Sequence, residues 1–465
     1  MLTPFANAEE RSVSFDKDPQ WESHNNRLGQ TGHRNIHQDF GYRPPKLNEQ
    51  GAVGGFITPC NEPAYYAKRI PNCDLNTPLT ASGIVECTGR KFNVLIGFFN
   101  KDTLGGWRTP NTLALRLYGR GEVFYAYLEY ANKLGRAGAD SPQGFNRKGS
   151  VTGKTSPILF QRKELLRWSI RYNPEANEGK GAIYARIGEH EAVCDLGVGH
   201  RQEGATFNRF GFLNVMKSAD DGDELWLHEA EVNGIKDLFE RDPKWEGYHN
   251  RRDYATADIR PRFNFGYSNY QIAGGAKKGE IGGLVFRGDA RYANSLATYG
   301  DRLEPLTLDH PLKASGKITL VRAVSDSTTL FGFFHSVRSH RVMENVRSGF
   351  PNNFLGVAIE GPSSEGFFAY PAIRFDSEGT YASYSSSPRI YPDSRSHTWT
   401  LEYQPREAGR GLILFTLDNK TVTLEITRPS AGSPTQFDRF GIISTCIDGN
   451  AQYVYWDDLN YTFRQ

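Results

Sequence analysis

Three side chains in this sequence have the chemistry to move a proton and a setting that marks them out. His335 ends the stretch FGFFH (331–335), Tyr370 ends EGFFAY (365–370), and Glu129 lies in YAYLEY (125–130). An imidazole, a phenol or a carboxylate serves as acid or base when its surroundings tune it. Strand alternation puts Tyr125, Tyr127 and Glu129 on one face, and puts Arg116 on the opposite side from Leu113, Leu115 and Leu117. Asn100, Trp107, Arg338, Arg347 and Arg374 complete a set rich in aromatic rings and guanidinium groups. Sugars offer flat CH faces to Trp and Tyr, and rings of hydroxyls to Arg, Asn and Glu. Arg and His clusters also suit anionic sugars, whose carboxylates or sulfates pair with guanidinium.

Two reactions fit such a set. A lyase needs a base, here His335 or Tyr370, and a cation to neutralise a uronate. A hydrolase needs two carboxyl groups about 5–10 Å apart. Glu129 is one candidate, but Glu122 is a poor partner because it lies seven residues upstream and faces the other way. Glu344 and Glu360 are the candidates in the second half. Each assignment has a plainer rival. Tyr127 and Tyr370 would then fill a core, His335 would be a satisfied loop histidine, and SVRSHRVMENVRSGFPNN (336–353) a solvated loop. His24, His33 and His37 lack metal-ligand spacing and read as loop residues. Ser-His-Asp and Cys-His nucleophile signatures and phosphate-binding loops are absent.

The elements that must position these residues come in two sets, because the chain repeats itself. FDKDPQWESHNNR, from Phe15, returns as FERDPKWEGYHNR, from Phe239. In the same order, PLTASG (78–83) matches PLKASG (311–316), IGFFN (96–100) matches FGFFH (331–335), and EVFYAY (122–127) matches EGFFAY (365–370). WSIRYNP (168–174) then matches WTLEYQP (399–405), and FNRFGF (207–212) matches FDRFGI (437–442). A period of about 225 residues is too long for a solenoid or a propeller blade and reads as a duplicated domain. The predicted division is a tail over 1–12 and domains over 13–236 and 237–465. What both copies share leans structural: Asp18, Pro19, Trp21, Glu22, Asn26 and Arg27, with their counterparts from Asp242 to Arg251, read as scaffold, the Arg pairing with the Glu. Polar residues that differ, such as Asn100 against His335, are freer to carry function.

Strand patterns dominate both copies. In the first they fall over 91–100, 112–119, 122–130, 167–173 and 181–188; in the second, over 317–324, 329–335, 353–361, 398–404, 411–418 and 421–427. One helical turn is predicted within 161–168. So many strands predict an all-β protein of two tandem antiparallel β-sandwiches. The run from WSIRYNP through a short hairpin to FNRFGF and the closing DGDELWLHEAEVN, repeated in the second copy, resembles the concanavalin A-like lectin/glucanase jelly roll. The resemblance implies that first and last strands lie side by side. Asp16 and Asp18 would then approach Glu229 and Glu231, and Glu240 and Asp242 would approach Asp457 and Asp458. Such carboxylates leave room for a structural calcium ion, with Asp turn capping as the rival reading; no cofactor is required. The E-x-D-x-E arrangement typical of many jelly-roll glucanases is absent, which speaks against a standard retaining glucanase.

Composition bounds the rest. A net charge of +2 gives no bulk attraction for nucleic acid. No apolar run approaches the length of a membrane-spanning helix. The five cysteines fit no zinc spacing; Cys60 and Cys73 suit a disulfide in an oxidising compartment, and free thiols are the alternative. Ala6-Asn7-Ala8 reads either as the end of a signal peptide or as a plain tail. The sequence therefore predicts a secreted or periplasmic carbohydrate-active protein, foremost an enzyme that cleaves a polysaccharide, an anionic one in particular. The alternative is a non-catalytic glycan-binding protein. Neither the sugar nor the oligomeric state is written in the chain.

Overall fold

The computed structural model describes residues 9–27, 33–47, 50–105, 109–139, 144–148, 155–324, 326–343, 348–361, 366–376, 379–383, 387–429 and 434–464. The chain is nearly all β-strand, in antiparallel sheets. It forms two compact units: domain I spans 31–259, and domain II joins 1–30 to 260–465. The division thus falls at 30/31 and 259/260, not at 236/237.

In domain I, sheet IA runs across the strands His190–Asp195, Ala182–Ile187, Leu165–Asn173, Leu79–Cys87, Asp223–Val232, Ala52–Ile57, Arg34–Arg43 and Arg251–Thr256. Sheet IB runs across Ala137–Ala139, Val123–Ala131, Thr112–Arg120, Asn93–Phe99, Thr206–Asn214, Tyr65–Asp74 and Glu246–Tyr248. Alternating apolar side chains of the two sheets meet in one core, where the Trp168 ring of sheet IA stacks 6.2 Å from Phe210 of sheet IB. Domain II is built alike. Sheet IIA centres on Ala451–Phe463 and Leu312–Ala323, and sheet IIB on Gln436–Ile443, Ser327–Phe334, Phe354–Gly361 and Phe367–Arg374. Trp456 of IIA stacks 4.1 Å from Phe331 of IIB.

The predicted strands stand within a few residues of their expected ends. The predicted helical turn over 161–168 does not form. Lys163 takes a φ of 61°, a turn conformation, and the chain enters the strand Leu165–Asn173 directly.

The repeated opening motif is a strap that closes each sandwich. In domain I the strap follows the last strand through a two-residue turn at Asn233-Gly234, both with positive φ as a tight hairpin turn demands. Ile235–Asp237 pairs back on that last strand, and Phe239 and Trp245 sink into the core with 2% and 7% exposure. Glu246–Tyr248 then adds to the edge of sheet IB against Tyr65–Ala67. In domain II the same work is done by the chain's opening segment. Glu9–Val13 pairs with Leu459–Phe463, Phe15 and Trp21 are buried, and Glu22–His24 pairs with Thr298–Gly300.

Each conserved letter of the motif repeats its role. Phe15 meets Trp21 edge-on at 5.4 Å, as Phe239 meets Trp245 at 5.6 Å. Asp18 and Asp242 each accept a backbone N–H two residues on, at 2.9 Å. Glu22 pairs with Arg439 and Glu246 with Arg209. Asn26 and Asn250 donate to the carbonyls of Phe265 and Phe40. Arg27 and Arg251 donate to the carbonyls of Tyr267 and Tyr42. The Glu and Arg of the motif therefore do not pair with each other; each reaches into the sandwich instead.

The strap also moves the predicted carboxylates. Asp16 and Asp18 belong to the domain that holds Asp457 and Asp458, and Asp16 pairs with Lys277 at 3.3 Å. Glu229, Glu231, Glu240 and Asp242 belong to domain I. Among the described residues no group of three or more His, Cys, Asp or Glu side chains is arranged to hold a metal ion. All five cysteines are free thiols. Cys60 is buried and contacts the Tyr254 hydroxyl at 2.9 Å, and burial pushes its thiol up to about 11. No helix among the described residues is long and apolar enough to cross a membrane.

Under the domain II strap, the rings of His24 and His340 stack at 4.5 Å. Burial, then the charges of His24 and Arg439, hold His340 down at about 4, while Asp438 pulls the other way. Burial also lowers His24, against the pull of Glu22. An unfolded imidazole takes its proton near pH 6.5, so between about 6.5 and 4 the unfolded chain binds more protons than the folded one. Stability of domain II is expected to fall as pH drops through that window. A His340→Phe variant should flatten the dependence in melting curves recorded from pH 7 to 4. Trp21→Ala is expected to cost about 3–5 kcal/mol and to lower the melting of domain II alone, with Trp245→Ala acting on domain I. Hydrogen exchange resolved by segment checks which domain loosens.

Candidate functional site

Sheet IB carries the predicted first-copy residues on the face turned away from the core. Inward from its strands point Leu113, Leu115, Leu117, Phe124, Ala126 and Leu128. Alternation therefore sends Arg116 and Tyr118, with Tyr125, Tyr127 and Glu129, to the other side. Register sets them in rows: Tyr118 opposite Tyr125, Arg116 opposite Tyr127, and Ala114 opposite Glu129. The tyrosine rings form a ladder, with centroids 6.2 Å apart from Tyr118 to Tyr125 and 6.5 Å from Tyr125 to Tyr127. The Arg116 guanidinium lies 4.8 Å over the Tyr127 ring and pairs with Glu129. The three tyrosines are half-buried, so each leaves part of its side chain to solvent. Tyr118, absent from the sequence-based set, could have been found there because it shares the alternation of Arg116.

Asn100 does not belong to this face as a binding group. Its side chain accepts from the backbone N–H of Asp102 at 3.0 Å and donates to Thr206 at 2.8 Å, capping a short 3-10 turn. Trp107 lies outside the described residues.

In domain II the predicted residues separate. His335, the counterpart of Asn100, does the same capping job. Its Nδ1 accepts from the backbone N–H groups of Val337 at 3.1 Å and Arg338 at 3.3 Å. With Nδ1 engaged as an acceptor, the neutral ring carries its proton on Nε2 and has no free lone pair to act as a base. Tyr370 sits in the row of Ala358 and Leu330, and His335 lies five residues beyond Leu330. That is about 17 Å along the strand, so the two do not form an acid–base pair. Tyr370 is 2% exposed and donates its hydroxyl to Glu360. Glu360 in turn pairs with Arg287 at 2.7 Å. Arg338 pairs with Asp376 at 3.1 Å, and Arg374 donates to the Phe350 carbonyl at 3.0 Å, so both pin loops. Arg347 and Glu344 lie outside the described residues.

The sequence-based set thus resolves into one assembled group, Arg116, Tyr127 and Glu129, and a scatter of structural roles in the second half. Glu129 is the one acidic residue on the strands Asn93–Phe99, Thr112–Arg120 and Val123–Ala131. Glu122, seven residues and about 24 Å away along the strand, is held by Arg90 and Arg162. These strands therefore supply one carboxylate where hydrolysis takes two.

No family model matches the chain, and no curated protein matches it. Among solved structures, it is similar to domains LG4-5 of the mouse laminin alpha1 chain, with 11% identity, a TM-score of 0.25 and coverage of 86% of this chain and 89% of that one. It is also similar to an endo-beta-1,4-glucuronan lyase from the fungus Trichoderma reesei, with 9% identity, a TM-score of 0.32 and coverage of 44% and 90%. A third likeness is to the alginate lyase Aly36B, with 9% identity, a TM-score of 0.29 and coverage of 43% and 88%. At such scores these likenesses carry no weight for activity, and function has to rest on the chain's own side chains.

The capping role of His335 has a direct test. His335→Asn should leave stability nearly unchanged, since Asn performs this job at position 100, while His335→Ala should cost about 1 kcal/mol. Thermal or urea unfolding of the two variants measures the difference, and equal losses would remove the cap.

Proposed function

We propose that the chain is a secreted glycan-binding protein that holds a polysaccharide along the outer face of sheet IB. The observation that carries this reading is the ladder of Tyr118, Tyr125 and Tyr127 leading to the Arg116–Glu129 pair. Phenol rings ranged along two paired strands give apolar surface for the CH groups of successive sugar rings. The hydroxyls of those sugars meet the tyrosine hydroxyls, the guanidinium and the carboxylate at the end of the ladder. Arg116 keeps a buried Nε–H without a partner among the described residues, a donor left over for a ligand oxygen.

One geometric feature favours cleavage by elimination as a second reading. Arg116 beside Tyr127 sets a cation next to a phenol, so Tyr127, as the phenolate, would take the proton from the carbon beside a uronate carboxylate that Arg116 contacts. The bond to the leaving sugar oxygen would break as the double bond forms, and the proton taken up by Tyr127 would pass to that oxygen. Hydrolysis lacks its second carboxylate on these strands.

A panel of neutral and acidic plant and algal polysaccharides separates the readings. The expected result is retardation in affinity electrophoresis, weakened about tenfold, or about 1.4 kcal/mol, in a Tyr125→Ala/Tyr127→Ala variant of unchanged melting temperature. Appearance of ultraviolet-absorbing unsaturated uronates, lost in Tyr127→Phe, would promote the elimination reading. Binding that ignores both tyrosines would sink the site.

A further inference from the structure

The opposite side of domain I holds a second groove. Its volume is about 440 Å³, and it crosses the outer face of sheet IA. Register lines up one side chain from each of five neighbouring strands: Glu231 opposite Ser82, Ser82 opposite Ser169, Ser169 opposite Arg186, and Arg186 opposite Glu191. Four inter-strand steps make this row about 19 Å long. In the next row Arg171 stands opposite Tyr184, its guanidinium 4.6 Å over the ring. The groove thus has two guanidinium groups and a phenol at its middle, serine hydroxyls beside them, and a carboxylate at each end.

Two observations set it apart from ordinary strand surface. Several charges elsewhere on this face are held in pairs, as in His228 with Glu86 at 2.9 Å and Arg167 with Glu229 at 3.5 Å. Arg171, Glu191 and Glu231 enter no ion pair among the described residues, while Arg186 is partly engaged by Glu189 at its own turn. The matching row of sheet IIA runs Asn460, Ser315, Thr400, Thr416 and Thr421, and the positions of Arg171 and Tyr184 hold Glu402 and Leu414. A requirement of the sandwich itself would appear in both domains. The charged, tyrosine-bearing version appears in one.

We propose that this groove is a second glycan site, separate from the tyrosine face of sheet IB, that takes an oligosaccharide bearing carboxylate or sulfate groups near its middle. The guanidinium of Arg171, already oriented by Tyr184, forms a planar fork that fits either anion. Tyr184 and the serines take the neighbouring hydroxyls. Glu191 and Glu231 accept hydrogen bonds from sugar hydroxyls at the two ends. A volume of about 440 Å³ falls within the range of small-molecule sites. Two sites on one domain give a long polysaccharide the gain of linked binding without any new contact.

The test is calorimetric titration of the full chain with three probes: alginate hexasaccharide, a dextran sulfate oligomer of similar length, and uncharged cellohexaose. An Arg171→Ala/Arg186→Ala variant is expected to lose at least tenfold in affinity for the acidic probes at one site, with its melting temperature and any cellohexaose binding unchanged. Arg171→Lys keeps the charge without the fork and should fall between. The two acidic probes tell carboxylate from sulfate preference. Binding that persists in Tyr125→Ala/Tyr127→Ala and vanishes in the arginine variant would uphold this groove while overturning the tyrosine face. The proposal is overturned if the arginine variant binds the acidic probes like the parent, if cellohexaose competes equally for the site, or if neither acidic probe binds the parent chain.

Discussion

One interaction closes each half of this molecule: a tryptophan on a strap, wedged between the edges of two sheets. Trp21 packs against Tyr299 and Tyr461 at 5.7 and 6.3 Å, and Trp245 packs against Tyr66 at 5.9 Å. A sandwich leaves both edges of its core open, and a large ring with an attached edge strand covers that gap at little cost in chain. The polar letters of the motif serve the ring. Asp18 turns the chain, Glu22 anchors it to Arg439, and Asn26 stitches it to Phe265. This explains why a thirteen-residue phrase recurs with its Asp, Glu, Asn and Arg at positions 18, 22, 26 and 27 intact while the sheets between have drifted in sequence.

The drift is informative because the frame is held. Where Tyr127 and Tyr370 occupy matching places, one borders solvent beside Arg116 and Glu129, and the other is sealed against Glu360. Where Arg171 and Tyr184 stand in sheet IA, sheet IIA has Glu402 and Leu414. Domain I has kept or acquired polar, aromatic outer faces on both of its sheets. Domain II spends its equivalents on internal pairs such as Arg287 with Glu360 and Arg338 with Asp376.

Much of the fold could be read from the chain because alternation and Gly, Pro, Asn and Asp breaks are local signals. The facing of Tyr125, Tyr127, Glu129 and Arg116 followed from period-two geometry alone. The domain boundary did not, for a physical reason: a repeat fixes a period but not a phase, and only the pairing of the strap decides which sandwich owns it. His335 misled because a histidine in place of Asn100 looks like a change of chemistry, whereas the Asn100 Oδ1 and the His335 Nδ1 each accept the backbone N–H two residues on. That geometry has no sequence signature. Arg171, Tyr184 and Arg186 were legible in principle. They alternate along WSIRYN and AIYARI and differ from WTLEYQ and LILFTL, but they sit inside segments whose Trp and Tyr mark them as framework.

The strap of domain II comes from the opposite end of the chain to the strand it covers, Glu9–Val13 lying against Leu459–Phe463. During synthesis, domain I has every strand it needs once residue 259 is made. Domain II has its lid made before domain I and must hold it unpaired until its strand Ala451–Phe463 emerges. The segment Glu9–Val13 therefore waits for about 450 residues of synthesis before its partner strand exists. The Phe15 and Trp21 side chains spend that interval without the core that finally buries them.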